Sequence, residues 1–429
     1  MKQKYLITAQ AFGYGPTSKA STIASFLKKI EPASEIDFAG SDISYDLAKS
    51  KEPFFDRIVK VENLITLDEL MSSMDYDMII SVMDPSSAIL GYNHRIKVAT
   101  VDSLFWFWDW SKFQETYTLD KVMHQFTNVL VSDIGNFLLN MHPHETQLVG
   151  HLLANLRFVQ TYPGHSENSN CDYFNQLNAL EVGPIVDDSY INPNVATDKI
   201  LVTFGGQKNP LVDINQAVEY CSFVVNLIMD GLHNLSIRGI TPIICGNPEI
   251  LRVVSEKMND STLKNIKLAH LKHKEYFEVM NSSIAVMGPA SITSFYEANA
   301  YGKPYIFLPE QHDGHWPNYA RLIESFSSKY KDDNLRDAFP GFMLSESLED
   351  LKGIKEIDVN LIYTLINQFN QNKVGITQLS LYYSSILSKI QEDTYRTDLR
   401  LLQKDALGLC LNGYNNGAQT IVEHIIKCS

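Results

Sequence analysis

The sequence predicts an α/β protein made of two Rossmann-like, doubly wound domains that face a cleft, with C-terminal helices that brace them. Three observations predict this class. Short apolar runs rich in β-branched residues recur with helix-length segments between them, which is the pattern of parallel sheets covered by helices. The 429 residues exceed the size of one compact core. Residues 359–429 carry only helical periodicity.

The first half of the chain is predicted to form an N-terminal domain over residues 1–185. Its apolar runs alternate with helical segments, as expected of a doubly wound sheet. The predicted strands are KYLITAQ (4–10), EIDFAG (35–40), DRIVKV (56–61), DMIISVM (77–83), KVATVDS (97–103) and NVLVSD (128–133).

A second series of strands predicts a C-terminal domain over residues 186–358. The segment VGPIVDDSYINPNVATDK (182–199) separates the two series, because it is rich in Pro, Asn and Asp and has no apolar periodicity. Helices in residues 359–429 are expected to pack on both domains and bridge them. The predicted strands are KILVTFGG (199–206), ITPIICG (240–246), NIKLAHL (265–271), SSIAVMG (282–288) and PYIFLPE (304–310).

Composition excludes several classes of function. Lysine and arginine number 36 against 50 aspartate and glutamate residues, so the formal net charge is −14, which opposes binding to nucleic acid. The five cysteines are scattered and have no zinc-ligand spacing, so reduced thiols are expected. No apolar run reaches membrane-spanning length. We therefore expect a cytoplasmic protein without a transmembrane segment; the sequence leaves the oligomeric state open.

The stretch GPASITSFYEANAYGKPYIFLP (288–309) predicts a helix between two strands. Pro289 suits the first turn of a helix, and Gly302 is expected to end it. Ser291, Ser294 and Glu297 are spaced by three residues and share one face. The helix N-terminus and the serine hydroxyls suit a diphosphate, and a carboxylate two turns later can accept from both ribose hydroxyls. Taken singly, Ser291 could instead cap the helix and Glu297 could be a solvated side chain.

This half of the chain resembles the donor half of GT-B glycosyltransferases, in the branch of the peptidoglycan GlcNAc transferase and the UDP-glucosyltransferases. The resemblance runs from VTFGG (202–206) through IICGNPE (243–249) and the stretch above to HWPNYARL (315–322). It implies a UDP-sugar as co-substrate, with no cofactor and no metal. His315 stands where the family usually has a glutamine that contacts the donor sugar. The donor-binding residues that the resemblance implies are Gly205, Gly206, His270, Leu271, Gly288, Ser291, Ser294, Glu297, His315 and Asn318.

The start of the chain resembles the acceptor half of the same fold. ITAQAFGYGPTSKASTIASFL (7–27) has the strand, glycine turn and helix of that half, so Gly13, Tyr14 and Gly15 are expected to bind the acceptor. Many relatives carry a catalytic histidine in or after this turn, but this chain has no histidine before His94. Asp102, at the carboxyl end of a predicted strand, is the first candidate for the base, and Asp109 is the second.

The aromatic stretch SLFWFWDW (103–110) has two readings. Large aromatic side chains dominate protein cores, so the stretch could pack between helix and sheet. It could also form an acceptor pocket lined by Trp106 and Trp108. FGYGPTSKA (12–20) and VDSLFWFWD (101–109) resemble proteins related to cytosylglucuronate synthase, which implies a planar acceptor stacked on aromatic rings.

The function expected from these residues is metal-independent transfer of a sugar from a nucleotide diphosphate donor to a small acceptor. Two alternatives keep the same fold. A sugar-nucleotide epimerase would change the sugar without an acceptor, although such enzymes usually carry a second glutamate where this chain has Ala298. A non-catalytic protein would bind the nucleotide sugar without turnover.

Overall fold

The computed structural model divides the chain into two compact units. The first comprises Met1–Val186 with Cys410–Ser429, and the second comprises Asp187–Leu409. The boundary near Val186 lies inside the Pro- and Asn-rich segment 182–199, and the C-terminal helical region is shared between the units. The residues described are 2–50, 54–108, 110, 117–164, 171–205, 207, 212–258, 263–264, 266–330, 335–348, 359–411 and 416–428.

The first unit is built on a parallel sheet of seven strands with the order β3-β2-β1-β4-β5-β6-β7. Its elements are β1 (Lys4–Ala9), α1 (Gly15–Ile30), β2 (Glu35–Gly40), α2 (Asp42–Lys49), β3 (Arg57–Lys60), α3 (Leu64–Ser73), β4 (Met78–Val82), α4 (Pro85–Asn93), β5 (Lys97–Asp102), α5 (Leu119–Phe126), α6 (Val131–Leu139), α7 (Pro143–Leu153), β6 (Leu156–Gln160), α8 (Cys171–Gln176) and β7 (Leu180–Val182).

The order of these strands creates a switch point between β1 and β4. The chain winds outward from β1 to β3, returns to place β4 beside β1, and then winds outward in the other direction. In the register, Ile7 of β1 lies between Phe38 of β2 and Ile80 of β4, and all three are buried. The loops that follow β1 and β4 leave the sheet in opposite directions, which opens a crevice at the carboxyl ends of these two strands.

One strand predicted for the first unit is wrong. The run NVLVSD is not a strand, because the helix α6 begins at Val131. Ile134 is buried and Val131, Phe137 and Leu138 pack on the same core, so the apolar residues recur at helical rather than alternating positions. The sheet is instead completed by β6 and β7, which the sequence did not predict.

The second unit is built on a parallel sheet of five strands with the order β10-β9-β8-β11-β12, and all five agree with the predicted runs. Its elements are β8 (Lys199–Thr203), α9 (Ile214–Ile237), β9 (Thr241–Cys245), α10 (Pro248–Lys257), β10 (Lys267–Ala269), α11 (His273–Asn281), β11 (Ser283–Gly288), α12 (Ile292–Ala300), β12 (Tyr305–Phe307), α13 (His315–Tyr330), α14 (Leu335–Ala338), α15 (Val359–Gln371), α16 (Lys373–Lys389) and α17 (Asp393–Leu411).

The C-terminal region is helical, as predicted. Within the second unit, α16 packs along α9, where Gly231 leaves room for the Leu387 side chain. The last helix, α18 (Gly417–Cys428), belongs to the first unit and buries Ile421, Val422 and Ile425 in the core beside α1. In the part of the chain that the structure describes, no helix combines the length and the apolar character needed to span a membrane.

Candidate functional site

In the second unit, the switch point of the sheet lies between β8 and β11. Ligands bind such sheets in the crevice at the carboxyl ends of the two strands that flank this point. Gly205 follows β8 with φ +62°, a left-handed conformation that glycine adopts without strain, and its N–H donates to Thr203 Oγ1 at 3.3 Å. Gly288 ends β11 on the other side of the crevice. Gly205 and Gly288, two of the three glycines predicted to bind the donor, are thus at this edge; the third, Gly206, is outside the described residues.

Packing alone accounts for a glycine at position 288. A methyl group there would overlap the hydroxyl of Tyr305 on β12 and would lie 3.1 Å from the Thr203 carbonyl oxygen. The Tyr305 hydroxyl donates to the Pro289 carbonyl at 2.8 Å, and this hydrogen bond holds the hydroxyl in position. Gly288 therefore lets the loop before α12 lie close to β8, whether or not a ligand is bound.

The helix α12 begins at Ile292, three residues after Pro289. Ser291 is the N-cap residue and has extended backbone angles, but its hydroxyl makes no hydrogen bond to the first turn. The capping role considered for Ser291 is therefore not observed. Ser291 and Ser294 are both half-buried on the first turn of a helix that starts at the switch point. Gly302 follows the helix with φ +66°, the conformation expected of a glycine beyond a helix end.

Glu297 is not a solvated side chain, since only 5% of the residue is exposed. Its Oε2 accepts from the hydroxyl of Tyr276 on α11 at 3.4 Å. Tyr276 also hydrogen-bonds the side chain of Thr203, and burial and the charge of Glu297 raise its pKa well above the ordinary value. The tyrosine hydroxyl therefore stays protonated and connects Glu297 with the end of β8.

The helix α13 is tied to the same loop. Asn318, one turn into α13, is buried and donates its side-chain amide to the Ala290 carbonyl at 2.8 Å. His315, the first residue of the helix, is 6% exposed, and its Nδ1 accepts from the Gln311 N–H at 3.2 Å. Burial, with a smaller contribution from His312, lowers the pKa of His315 well below its ordinary value. The ring is therefore neutral at physiological pH, with its remaining proton on Nε2.

His270 and Leu271 lie further from the switch point. They follow β10, the outer strand of the sheet, two strands away from β8. His270 is exposed and Leu271 is half-buried, and the Leu271 N–H donates to the thiol of Cys245 at the end of β9. These two residues therefore border the loops after β9 and β10 rather than the crevice between β8 and β11.

A buried glutamine that the sequence did not single out holds the loop after β8. Gln207 has φ +56°, which is uncommon for a residue other than glycine. Its Oε1 accepts from the Asn247 N–H at 2.8 Å, and its amide nitrogen contacts the thiol of Cys221. The side chain therefore connects the loop after β8 with the loop after β9.

In the first unit, Asp102 lies at the end of β5 and is only 1% exposed. Its oxygens accept from the Leu104 N–H at 2.7 Å, from Trp108 Nε1 at 3.0 Å and from His151 Nε2 at 2.9 Å. These contacts fix the chain after β5 and the buried His151 ring. The base role predicted for Asp102 stays a prediction; Asp109, the second candidate, is outside the described residues.

The aromatic stretch after β5 is largely core. Trp106 is 2% exposed, and its Nε1 donates to the Gln160 carbonyl at 3.0 Å. Phe105 and Trp110 are fully buried and pack edge-on against the ring of His151. Trp108 differs, because it is half-buried and its ring centroid lies 4.7 Å from that of His144. Of the two tryptophans predicted to bind the acceptor, only Trp108 has a partly open face.

The turn predicted to bind the acceptor follows β1 at the switch point of the first unit. Gly13 has φ +59°, and none of the described residues lies where its side chain would be, so glycine is required there for its backbone conformation. Tyr14 is the N-cap residue of α1 and Gly15 is its first residue, and all three are half-buried. The predicted residues are thus placed together at the crevice between β1 and β4.

Asp84, which the sequence did not single out, follows β4 on the other side of that crevice. The hydroxyls of Ser81 and Ser87 donate to its carbonyl at 2.5 and 2.9 Å. Burial raises the pKa of Asp84 above its ordinary value, although hydrogen bonds from Thr8 and Ser87 act in the opposite direction. The sequence shows that Asp84 comes directly after an apolar run that predicts a strand. That position marks a ligand-binding residue only if the strand lies at the switch point, and the sequence does not show the strand order.

Among the described residues, no group of three or more histidine, cysteine, aspartate or glutamate side chains is arranged to hold a metal ion. In the loop after β12, Glu310 is fully buried and accepts from the N–H groups of Leu344 and Ser345 at 2.6 and 2.7 Å. Burial raises its pKa above the ordinary value despite these bonds. Glu310 therefore fastens this loop to the turn at Leu344.

No family model matches the chain, and no curated protein matches its sequence. Solved structures similar in fold include Os79 from O. sativa in complex with UDP, which is 10% identical over 94% of this chain and 100% of that chain, with a TM-score of 0.50. A UDP-glucosyltransferase from Polygonum tinctorium is 14% identical over 95% and 98% of the two chains, with a TM-score of 0.48. UDP-GlcNAc 2-epimerase from Neisseria meningitidis, bound to UDP-GlcNAc, is 11% identical over 100% and 99%, with a TM-score of 0.49.

The likeness to Os79 concerns the fold. It agrees with the two parallel sheets, each with a switch point near its middle. The chain therefore has the GT-B type of fold, with two Rossmann-like units, as its sequence predicted.

Proposed function

We propose that this chain is a glycosyltransferase that moves a sugar from a UDP-sugar to a small acceptor without a metal ion. One observation carries the proposal. In the second unit, the switch point of the sheet coincides with the loop that carries Gly205 and with the start of α12, the helix that carries Glu297. Os79, which shares the fold, was solved in complex with UDP, and this supports a uridine nucleotide as the ligand.

The donor would be held by the second unit. The diphosphate would lie at the N-terminus of α12, where the N–H groups and the hydroxyls of Ser291 and Ser294 are donors for its oxygens. Gly205 would allow close approach of the backbone from β8, and Gly206 would belong to the same loop. Glu297 would accept from the ribose hydroxyls. The distance along the helix axis from Ser291 to Glu297 is about 9 Å, which matches the span from a diphosphate to the ribose of one nucleotide.

The remaining donor contacts concern the sugar and the uracil base of the nucleotide. His315 Nε2 carries a proton and could donate to a sugar hydroxyl, while Asn318 keeps α13 against the loop before α12. The uracil base would contact the backbone near His270 and Leu271. During transfer, the helix N–H groups would stabilise the charge on the departing diphosphate, so the reaction needs no metal ion for that purpose.

The acceptor would be held by the first unit. Gly13, Tyr14 and Gly15 lie at the crevice between β1 and β4, and the partly open ring of Trp108 follows β5. A planar acceptor could stack on an aromatic face of this kind. Trp106 would contribute by supporting this region from the core.

Incubation of the pure protein with nucleotide sugars tests the proposal. The donors would be UDP-glucose, UDP-GlcNAc and UDP-glucuronic acid, each with and without a mixture of nucleosides, phenols and sugars as acceptors. We expect free UDP to appear only when both a donor and an acceptor are present. An altered sugar without acceptor would instead show epimerisation. Tight binding without turnover would show a sensor, and absence of binding to UDP or to any donor would refute the proposal.

A further inference from the structure

We propose that Asp84 is the catalytic base that takes the proton from the acceptor. This inference rests on the function proposed above, and it assigns a residue of the first unit to the chemical step. The acceptor class that it requires has a hydroxyl or an N–H group as its nucleophile. Three features of the structure support it: the position of Asp84 in the sheet, the backbone that holds it and its difference from Asp102.

Asp84 lies at the switch point of the first unit. It follows β4, and Thr8, which is hydrogen-bonded to Ser87 at 2.6 Å, lies near the end of β1. Acidic residues that serve a ligand are expected in this position, since the crevice at a switch point is where doubly wound sheets bind ligands. Asp84 is half-buried, so part of its surface is open to a ligand. The turn at Gly13 borders the same crevice from the β1 side.

The backbone before Asp84 is held in an uncommon conformation. Met83 has φ +57°, which costs a residue with a side chain free energy unless its surroundings impose it. Here they do, because the Met83 N–H donates to the Val101 carbonyl at 3.0 Å and its carbonyl accepts from Gln147 Nε2 at 3.1 Å. The turn therefore sets the direction in which the chain leaves β4 and places Asp84 at the crevice.

A buried polar group in the first turn of α1, the helix that follows the turn at Gly13, lacks a protein partner among the described residues. The hydroxyl of Thr17, in the first turn of α1, is fully buried and makes no hydrogen bond with any side chain or backbone group that the structure describes. A buried hydroxyl without a partner is costly, so a ligand or water is expected to satisfy it.

Asp102 is less suited to the same role. Asp102 is 1% exposed, so an acceptor would have to displace Trp108 or His151 to reach it. The Asp84 carboxylate also accepts from protein groups, among them Thr8 and Ser87, but the residue is half-buried rather than fully buried. Burial raises the pKa of Asp84 above its ordinary value against the effect of its hydrogen bonds, and a carboxylate with a raised pKa is a stronger base than an ordinary one. The two aspartates end neighbouring strands, and their surroundings divide them into a reacting group and a positioning group.

In the step that we propose, the proton of the acceptor O–H or N–H passes to the Asp84 carboxylate. The acceptor atom forms a bond to the anomeric carbon while the bond from that carbon to the diphosphate oxygen breaks. The electron pair leaves with UDP, and the proton on Asp84 is then released to solvent. Atoms and charge balance without any further reactant.

The test compares Asp84→Asn and Asp84→Glu with the wild-type chain, using the donor and acceptor that give the highest turnover in the incubations described above. Asp120→Asn, which changes an exposed carboxylate on α5, is the matched control. We expect kcat of Asp84→Asn to fall about 100-fold or more, which is the usual contribution of a general base. UDP affinity by calorimetry should stay near wild type, both variants should still unfold in one cooperative thermal transition, and Asp84→Glu should keep more activity than Asp84→Asn.

Two outcomes overturn the assignment. If Asp84→Asn keeps kcat within about threefold of wild type, the base is another group. If the variant loses UDP affinity in step with kcat, Asp84 acts through donor binding and not on the acceptor. Failure of the proposed function is distinguishable, because the wild-type chain itself would then release no UDP with any pair of donor and acceptor, and the assignment of Asp84 would fail with it.

Discussion

The hydroxyl of Tyr276 donates to the carboxylate of Glu297 at 3.4 Å and joins it to Thr203 at the end of β8. This contact holds the carboxylate on the sheet side of α12 rather than in solvent. Glu297→Ala should weaken UDP binding by about 10- to 100-fold, since a hydrogen bond to a charged group contributes about 1.5–3 kcal/mol. Isothermal titration with UDP measures this. Tyr276→Phe should cause a smaller loss, because it leaves the carboxylate in place.

Glu278→Ala is the matched control for Glu297→Ala, since Glu278 is an exposed glutamate on the neighbouring helix α11. Its UDP affinity should equal that of wild type. Equal affinity in Glu297→Ala would contradict the ribose contact.

The second prediction concerns the close approach of β11 to its neighbours. Gly288→Ala should lower the free energy of unfolding by about 1–3 kcal/mol, because the added methyl group overlaps the Tyr305 hydroxyl in a packed core. Tyr305→Phe removes that hydroxyl, and its hydrogen bond to Pro289, at a cost of about 1 kcal/mol. The double variant should therefore lose less free energy of unfolding than the two single variants lose together, as measured by urea denaturation.

Gly239→Ala provides the control for this cycle. Gly239 has φ +83°, and in the described part of the chain no atom lies near the position of an added methyl group, so the stability lost in Gly239→Ala comes from the backbone conformation. Tyr305→Phe should not reduce that loss. Strict additivity between Gly288→Ala and Tyr305→Phe would show that the overlap relaxes elsewhere.

The third prediction concerns Asp187, the first residue of the second unit. Its Oδ2 lies 2.7 Å from His273 Nε2, and the Ser189 N–H donates to its Oδ1 at 3.0 Å. Burial acts to raise the pKa of Asp187, but the hydrogen bonds from His273 and Ser189 outweigh it and hold the pKa below its ordinary value. A carboxylate with a lowered pKa stabilises the fold above its unfolded pKa, and this stabilisation is lost as the pH falls through the folded value.

Asp187→Asn should therefore cost about 1–3 kcal/mol at neutral pH, as a buried donor loses its charged acceptor. The difference from wild type should narrow as the pH falls below about 4, the ordinary value for aspartate. Urea denaturation over a pH series measures it, with the exposed neighbour in Asp188→Asn as control. A difference that is constant from neutral to acid pH would show that the charge of Asp187 does not stabilise the fold.

The sequence predicts the second unit well, and the physical reason is its burial. Strands covered on both faces are continuous apolar runs, such as IAVMG before α12, and these runs are bounded by glycine and proline. The face that carries Ser291, Ser294 and Glu297 follows from helical geometry alone. What the sequence could not show is that Tyr276, from another helix, is the partner of Glu297.

The first unit was harder to predict because its site depends on strand order. Asp84 becomes a candidate only when β4 is known to lie beside β1, and the sequence separates these strands by two others. The sequence also could not show that Asp102 and Trp106 are buried, because a residue at or just after the end of a strand can point into a crevice or into the core. The strand predicted at residues 128–133 was wrong for a simpler reason, because a short apolar run fits a strand and the first turn of a helix equally well.

The fourth prediction separates the two roles considered for Asp102. As an acceptor for Trp108, His151 and the Leu104 N–H, it should be needed for stability. Asp102→Ala should lower the free energy of unfolding by about 3–5 kcal/mol, because it leaves buried donors without their charged partner. Asp120→Ala, at an exposed position, should change it by less than about 0.5 kcal/mol. Wild-type stability together with lost turnover in Asp102→Asn would instead support Asp102 as the base.

The last prediction concerns His315, whose pKa burial lowers well below its ordinary value. The unfolded chain binds a proton at this residue below about pH 6.5, whereas the folded chain keeps the ring neutral, so the wild-type fold loses stability as the pH falls through this value. His315→Gln removes this loss and should gain up to about 1.4 kcal/mol on wild type per pH unit below it. Urea denaturation between neutral and mildly acid pH measures the gain, with exposed His124→Gln as control. Parallel pH curves for wild type and His315→Gln would mean that the ring takes up a proton in the folded chain over the same pH range as in the unfolded chain, which would contradict a lowered pKa for His315.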